Sequence, residues 1–200
     1  QTFLNLPEQR RQEIIDVAIE EFALYEYDKA SLSAIVKKSG VAKGSFYRYF
    51  ESKKELYVYL IDYLIQKRLA FGGNLPHNTE GNFFDILVEN FTHKLQFDFE
   101  HPVYSGFLHN VMQEKNGEEL GTIQLDIRAK ITRLVENLIK QRQQNGALRN
   151  DIPAGLMAYI VVQIQYSISD YLATRYSLNF RDNIRQKKPI FTIPAKEILQ

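Results

Sequence analysis

Cysteine and tryptophan are absent from this sequence, and methionine occurs only twice in 200 residues. A chain without cysteine has no disulfide, no thiolate nucleophile and no cysteine metal ligand, and this composition suits a cytoplasmic protein. Apolar runs as long as the roughly 18 residues of a membrane-spanning helix are also missing, so we predict no membrane insertion. The sequence contains neither a glycine-rich phosphate loop after a strand nor a Gly-x-Ser-x-Gly elbow. We therefore predict no cofactor and no catalytic residue.

A metal site is not predicted either. Three of the four histidines, His93, His101 and His109, are spaced eight residues apart. Standard metal motifs such as His-Glu-x-x-His have a different spacing. The histidine positions are more typical of helix surfaces or helix ends.

The net charge of +1 is small, but the charge is unevenly distributed along the chain. Residues 8–28 hold seven carboxylates and two arginines, a local charge of −5. Residues 37–54 hold six cations and one carboxylate, a local charge of +5. One short basic region in an otherwise balanced chain is the electrostatic pattern of a nucleic-acid contact.

Helical periodicity is found in nearly the whole chain, which predicts an all-α protein. In the first part we predict an amphipathic helix over 7–25 and a short helix that Ser31 caps and Gly40 ends. Another short helix is predicted near 42–49. Ser52 and Glu55 have the spacing of a capping box, which predicts a fourth helix over 53–71.

The remaining sequence predicts a larger helical bundle. Turn-forming residues in GGNLPHNTEGN, residues 72–82, mark a linker. Alternation typical of a strand is weak and confined to KPIFTIP near the end. We place a first domain at 1–71 and a second at 72–200, with helix 53–71 shared between them. The bundle helices are predicted near residues 83–99, 103–113, 121–145 and 153–175.

The stretch SGVAKGSFYRYFESKKE, residues 39–55, has the features of a helix-turn-helix motif. Phe46 and Phe50 share one face of its second helix and are expected to be buried. Small and polar side chains on the other faces can reach base edges in the DNA major groove. Lys53 and Lys54 oppose the dipole at the start of the next helix, a local cost that a bound phosphate reverses.

The segments IIDVAIEEFALYEYDKASL and SAIVKKSGVAKGSFYRYFESKKELY resemble the DNA-binding domain of the TetR family of transcriptional regulators. The resemblance extends over residues 7–60. The family's helix cap falls on Ser31, its turn on Gly40, and its Gly-Ser-aromatic-Tyr core on residues 44–47. The chain departs from the family at Glu26, where glycine is usual, and at Ala42, where serine or threonine is frequent.

The resemblance implies roles for individual residues in binding double-stranded DNA. Base edges or the adjacent backbone are expected to meet Lys43, Gly44, Ser45 and Tyr47. Phosphates are expected to meet Ser31, Tyr47, Tyr49 and Lys53, and Ser33 to reach the groove edge. A Lys53→Ala change is then expected to weaken binding to all DNA sequences and to lower the salt slope by roughly 1.

For the second domain, the resemblance implies a bundle that binds a small effector and forms a homodimer. Long apolar helices near 121–145 and 153–175 are compatible with an isologous four-helix interface. The bundle also holds more aromatic residues than a core needs, although each one alone is more typical of a core than of a pocket. The residues predicted to bind the effector are Phe91, Phe107, Met112, Tyr159, Gln163 and Tyr166.

These features predict a dimeric repressor that a small, largely apolar effector releases from a palindromic operator. An activator or a ligand-independent DNA-binding protein would carry the same motif. A different class is also compatible with the sequence: an all-α small-molecule-binding protein or enzyme in which the helix-turn-helix only stabilises the fold.

Overall fold

The structure, a computed structural model, describes residues 3–71, 82–113 and 119–188, and within these ranges it contains helices and no strand. This confirms the predicted all-α class. A short 3-10 turn at Phe3–Asn5 precedes the first α-helix. The α-helices are α1 (Glu8–Leu24), α2 (Leu32–Ser39), α3 (Lys43–Tyr49), α4 (Lys53–Phe71), α5 (Phe83–Glu100), α6 (Pro102–Gln113), α7 (Ile123–Gln144), α8 (Ala154–Arg175) and α9 (Phe180–Arg185).

The turn between α2 and α3 follows from local sequence chemistry. Ser31 caps α2 as predicted, because its Oγ accepts a hydrogen bond from the Ala34 N–H (3.2 Å). Gly40 ends α2 with φ of 65°, in the left-handed region that favours glycine. Ala42 occupies the N-cap of α3 and gives it no side-chain cap, as its methyl group requires. The turn therefore depends on Gly40 at one end and leaves the start of α3 open.

The predicted capping box at the start of α4 is present with a shift of one residue. The Glu55 N–H donates to Ser52 Oγ (3.1 Å). The Glu55 carboxylate accepts from the N–H of Glu51 (2.6 Å), the residue before the serine. Together these bonds fix where α4 begins relative to α3.

One continuous core joins the helix-turn-helix to the bundle. Phe22 of α1, Tyr57 of α4 and Phe107 of α6 are all buried in it. The Phe107 ring lies 5.2 Å from Tyr57 and 6.1 Å from Phe22, measured between centroids. Phe107, which the sequence analysis assigned to the effector site, is therefore a fully buried residue of the core between α1, α4 and α6.

A second, smaller core forms where α5, α7 and α8 meet. Ile139 of α7 packs there with Ala154 and Ala158 of α8 and with Phe83 of α5. The small alanine side chains allow α8 to lie close to α7. Helix α9 has six residues and was not predicted, since so short a segment gives little periodic signal. Its Phe180 packs with Leu95 of α5.

No helix in the described ranges is both long and apolar enough to cross a membrane. The predicted linker at 72–82, apart from Asn82, lies outside the described residues. So does the KPIFTIP segment, apart from Lys188.

Candidate functional site

Helix α3 exposes one face and buries the other. Phe46 and Phe50 are buried, as predicted, and their rings lie 5.8 Å apart between centroids. Lys43 and Gly44 are exposed, and the Tyr47 side chain keeps 45% of its surface accessible. The two buried phenylalanines hold the helix on the protein and turn the other three residues outward.

A shallow groove lies between α2 and α3 beside this face. Ser33 and Lys37 of α2 and Lys43 and Tyr47 of α3 line it, with Gly40 in the turn below. Each of these side chains is polar, small or cationic. The groove and the exposed side of α3 together form what we call the α2–α3 face.

Other predicted DNA-binding residues lie next to this face. Ser31 is exposed, although its Oγ already caps α2. Ser45 is half-buried and accepts a hydrogen bond from Arg48 Nη2 (3.0 Å). Tyr49 is half-buried, with its ring 5.7 Å from Phe3. Ser45 and Tyr49 are thus less open to solvent than Lys43 and Tyr47.

Lys53 occupies a different environment from its neighbour Lys54. Its ammonium donates to the carbonyl oxygens of Tyr27 (2.8 Å) and Ala30 (3.4 Å) and lies 4.5 Å from the centre of the Tyr27 ring. Lys54 is exposed. Lys53 therefore holds the loop between α1 and α2 against the start of α4, a structural role that the sequence pattern did not indicate.

Glu21 is a buried carboxylate that positions α2. Its Oε1 accepts from the Ser31 N–H (3.1 Å), and Lys38 Nζ lies 3.4 Å from its Oε2. On the opposite side, Arg10 Nη2 donates to the Ser39 carbonyl (2.6 Å). One acidic and one basic residue of α1 thus fix both ends of α2. In the sequence, Glu21 is one of seven carboxylates in residues 8–28, and nothing there indicates that it is buried against α2.

A cavity of about 290 Å³ lies within the bundle, lined by residues of α4 to α9. Most of its lining is aliphatic or aromatic. Three predicted effector residues, Phe91, Met112 and Tyr166, line it. Tyr159 and Gln163 do not: Tyr159 is 55% exposed on α8, and Gln163 Nε2 donates to its hydroxyl (3.3 Å).

Charged side chains that no sequence pattern indicated line one part of the cavity. Arg68 of α4 pairs with Asp98 of α5 through its Nη2, which lies 2.6 Å from Oδ2. Ser105 of α6 donates to Asp98 Oδ1 (2.6 Å). Arg68, Asp98 and Ser105 come from three helices, so their proximity has no periodic signature in the sequence.

Lys94 of α5 lines the same part of the cavity. Its Nζ donates to Ser169 Oγ of α8 (3.3 Å). Burial, with a smaller effect from the Arg68 charge, lowers the pKa of Lys94 to about 8. From the sequence alone, a lysine such as Lys94 is expected on the protein surface. Its place in the cavity lining follows only from the packing of the helices.

His109 of α6, which also lines the cavity, has a displaced pKa as well. Its ring stacks on Phe180 with the centroids 3.5 Å apart. Burial, together with the nearby charges of Lys94 and Arg181, lowers the pKa of His109 to about 4. The imidazole is therefore neutral at pH 7. Across the described ranges, no three His, Asp or Glu side chains are grouped closely enough to hold a metal ion.

Comparison with known proteins places the N-terminal helices in a family. Residues 14–60 match the family model for bacterial regulatory proteins of the tetR family. The chain is 40% identical over 80 residues to the uncharacterized HTH-type transcriptional regulator YvdT of Bacillus subtilis. That match spans 39% of this chain and only 41% of YvdT. The relatives named in these matches are transcriptional regulators, in agreement with the prediction that this chain is not an enzyme.

Solved structures extend the similarity over nearly the whole chain. A TetR family transcriptional regulator from Chloroflexus aurantiacus is 29% identical, with a TM-score of 0.60, over 92% of this chain and 85% of that one. FadR from Bacillus subtilis, solved in complex with stearoyl-CoA, has a TM-score of 0.67 over 94% of this chain and 96% of its own. Its identity is 16%, so it shows a shared fold alone.

Proposed function

Since residues 14–60 match the family model for bacterial regulatory proteins of the tetR family, we propose that this chain is a DNA-binding transcriptional regulator of that family in the cytoplasm. The observation that carries the proposal is the α2–α3 face. Lys43, Gly44 and Tyr47 are exposed on it, while the residues of α3 that pack inward are apolar. A helix with this exposure can enter a major groove without any rearrangement of its own core.

The charge distribution supports the same surface. The six cations of residues 37–54 all lie in or beside α2, α3 and the start of α4. Among the carboxylates of α1, Glu21 is buried and already bound to the start of α2. Cations near the groove favour phosphate contacts, which fix the position of the protein on the duplex.

A salt-titrated mobility-shift assay on the promoter region of the protein's own gene tests the proposal. We expect affinity to fall steeply with salt concentration and a footprint with two-fold symmetry. Absence of any shifted complex or protected site would contradict DNA binding, whereas binding that is independent of salt would contradict phosphate contacts by these cations. The absence of a complex would favour the alternative in which the helix-turn-helix only stabilises the fold.

Gly44→Ala separates a functional role of α3 from a structural one. A Cβ at Gly44 has no neighbouring atom within 4 Å, so alanine fits without strain. Within a helix, alanine is more stable than glycine by roughly 0.5–1 kcal/mol. We expect Gly44→Ala to raise the stability of the protein and to weaken DNA binding, because the added methyl group keeps the DNA backbone away. Equal or tighter DNA binding by this variant would contradict the assignment of Gly44.

We further propose that the protein acts as a homodimer through α7 and α8. Leu156, Ile160 and Ile164 follow one another at four-residue spacing on α8, and each is about half exposed (52%, 47% and 53%). On α7, Leu134 is 41% exposed. Leu134 also borders the bundle cavity, so the apolar stripe is on α8. Such a stripe beside a second long helix fits an isologous four-helix interface. Such a dimer would present two α3 helices to a palindromic operator.

The cavity supports a repressor that an effector releases. Helix α4 contributes Ile61 and Arg68 to the cavity and Leu56 and Tyr57 to the core beneath the helix-turn-helix. A molecule in the cavity that fits one position of α4 better than another would change the placement of α3. A difference in affinity of about 1–3 kcal/mol would change DNA affinity several-fold to a hundredfold. FadR, which shares the fold, was solved with stearoyl-CoA, so this architecture does accommodate ligands with an acyl chain.

A further inference from the structure

The charges that line the bundle cavity are unequally paired. Both oxygens of Asp98 are bound by Arg68, and Ser105 occupies Oδ1 as well. Both carboxylate oxygens of Asp98 are therefore already paired with protein donors. It is not within ion-pair distance of Lys94, although the two residues are one helical turn apart on α5.

Lys94 has no carboxylate partner among the residues that the structure describes. Its ammonium makes one hydrogen bond, to the neutral hydroxyl of Ser169, and lies 5.8 Å from the centre of the Phe91 ring. An ammonium has three donors, so two remain for a ligand. Lys94 is half-buried, and withdrawing a cation from water without a counter-ion is unfavourable, which lowers the pKa of Lys94.

Arg68 adds a second positive charge to the same part of the cavity. Its Nη2 binds Asp98, but its Nε is buried without a hydrogen-bond partner. Buried N–H groups in proteins are nearly always hydrogen-bonded, so an unpaired Arg68 Nε is unusual. Lys94 and Arg68 both line the cavity, and each repels the positive charge of the other.

Much of the remaining cavity wall is aliphatic, although polar side chains such as Asn90, Gln113 and Gln165 also border it. Leu108 and Met112 of α6, Ile131 and Leu138 of α7, and Ile65 of α4 form much of its wall. Its volume of about 290 Å³ is at the lower end of small-molecule sites, which range from roughly 300 to 1,000 Å³. A ligand that fills it has a small head group and a compact apolar body.

We propose that the cavity binds a small amphipathic anion, a carboxylate on a medium-length apolar chain, with the carboxylate against Lys94 and Arg68. This inference rests on the proposed effector role of the cavity and narrows it to one ligand class. The carboxylate supplies the counter-charge that Lys94 lacks and accepts its free N–H groups, the positive charge of Arg68 adds to the attraction, and the chain lies along the aliphatic wall. Ion pairing in a site of low polarity is stronger than in water, so the charge of the ligand decides its affinity.

Three ligands with the same chain test the role of charge: decanoate, decanol and decyltrimethylammonium, each titrated into the full chain by calorimetry. We expect decanoate to bind about tenfold or more tightly than decanol, the difference that one charge-assisted hydrogen bond provides. The cationic ligand is expected not to bind. Equal affinity for decanoate and decanol, or binding of the cation, would overturn the proposal.

Variants of Lys94 then locate the carboxylate. Lys94→Gln should weaken decanoate binding by about tenfold and leave decanol unchanged within about twofold, with Arg68 still attracting the carboxylate, whereas Lys94→Arg should retain the full preference for decanoate. Lys140→Gln is the matched control, since Lys140 is exposed on α7 and pairs with Glu136 of the same helix. A loss of decanoate affinity of the same size in both glutamine variants would exclude a specific role for Lys94.

Proton uptake by the unaltered protein gives an independent result should Lys94→Gln fail to fold. The charged and titratable groups around Lys94 are Arg68 on α4, His93 and Asp98 on α5, His109 on α6, Arg128 on α7, Tyr166 and Asp170 on α8 and Arg181 beyond them on α9. Burial lowers the pKa of His109 to about 4 and raises the pKa of Tyr166 above its ordinary value, so both are displaced away from pH 8. Slightly above pH 8, decanoate binding should therefore take up protons on Lys94, seen as a heat that depends on the buffer. Absence of uptake would count against the site.

The binding assay and the mobility-shift assay distinguish failure of this inference from failure of the proposed function. Decanoate binding that depends on Lys94 but leaves DNA affinity unchanged supports the ligand class and contradicts the effector role. Release of DNA by another compound, with no decanoate binding, overturns the ligand class and leaves the regulator intact.

Discussion

Lys53 and Lys54 are adjacent in the sequence and have different roles in the structure. Both ammonium groups oppose the dipole at the start of α4. Only Lys53 is bonded to carbonyl oxygens, those of Tyr27, Asp28 and Ala30. The sequence places both lysines in one basic run, so a difference between them can come only from tertiary contacts.

Lys53→Ala should lower the free energy of unfolding by about 1–2 kcal/mol, because the loop carbonyls of Tyr27, Asp28 and Ala30 lose a charged donor. Lys54→Ala, the matched control, should change it by less than about 0.5 kcal/mol. Urea unfolding of the two variants measures the difference, and coincident curves would contradict the contacts of Lys53. In mobility-shift assays we also expect Lys53→Ala to bind all DNA sequences more weakly, with a salt slope lower by roughly 1.

His109 predicts a loss of stability in mild acid. Its pKa is about 4 in the folded protein and 6.5 in an unfolded chain, so the unfolded state binds the proton first. Stability from this group is complete above pH 6.5 and falls as the pH decreases toward 4, by up to about 3 kcal/mol.

Urea unfolding of the unaltered protein and of His109→Gln at several pH values between 7 and 4 checks this expectation. The glutamine variant should lose less stability over that interval. Parallel curves for the two proteins would show that His109 contributes no pH dependence.

At the scale of elements, α6 connects the cavity to the DNA-binding helices. Ser105, His109 and Met112 line the cavity. Phe107 packs on Phe22 of α1, and Asn110 Nδ2 donates to the carbonyl of Ala23 at the end of α1 (2.8 Å). The cavity-lining and α1-contacting side chains alternate along one short helix. A ligand that displaces α6 would therefore also displace the side chains that contact α1.

Asn110→Ala should lower the free energy of unfolding by about 1–3 kcal/mol, since it leaves a buried carbonyl of α1 unpaired. The control is Gln96→Ala on α5, which removes an exposed hydrogen bond to Glu100 and should cost less than about 0.5 kcal/mol. Chemical denaturation measures both. Similar costs for the two variants would mean that the Asn110 bond does not hold α6 to α1.

The sequence predicts elements well where one residue type has one local effect. Ser31 as a cap, Gly40 as a left-handed turn residue and the buried pair Phe46 and Phe50 depend only on near neighbours, and the structure has each of them. Phe107 and Lys94 were misjudged or missed because their environments are set by helices far away in the chain. Periodicity marks a face as apolar, but it does not distinguish a core from a cavity or a cavity from a subunit interface.

At the scale of the whole molecule, the exposed stripe of α8 predicts the oligomeric state. Ile160→Glu or Ile164→Glu places a charge in the centre of the proposed interface and should weaken dimer formation by about 2 kcal/mol or more. Val88→Glu is the control, because Val88 on α5 is even more exposed, at 61%, and lies outside α7 and α8. Analytical ultracentrifugation measures association. Dimers of unchanged stability in the α8 variants would exclude this face.

The core that Phe22, Tyr57 and Phe107 share limits how the protein can be recombined. A fragment ending after α4 would leave the inner side of α1 and α4 without Phe107 and Val111, and so exposed to water. Grafting these first four helices onto another regulator's bundle would succeed only if the new bundle placed a side chain of phenylalanine size against Phe22 and Tyr57, where Phe107 packs here. A chimaeric protein that takes the helix-turn-helix from this chain should therefore also take α6 from it.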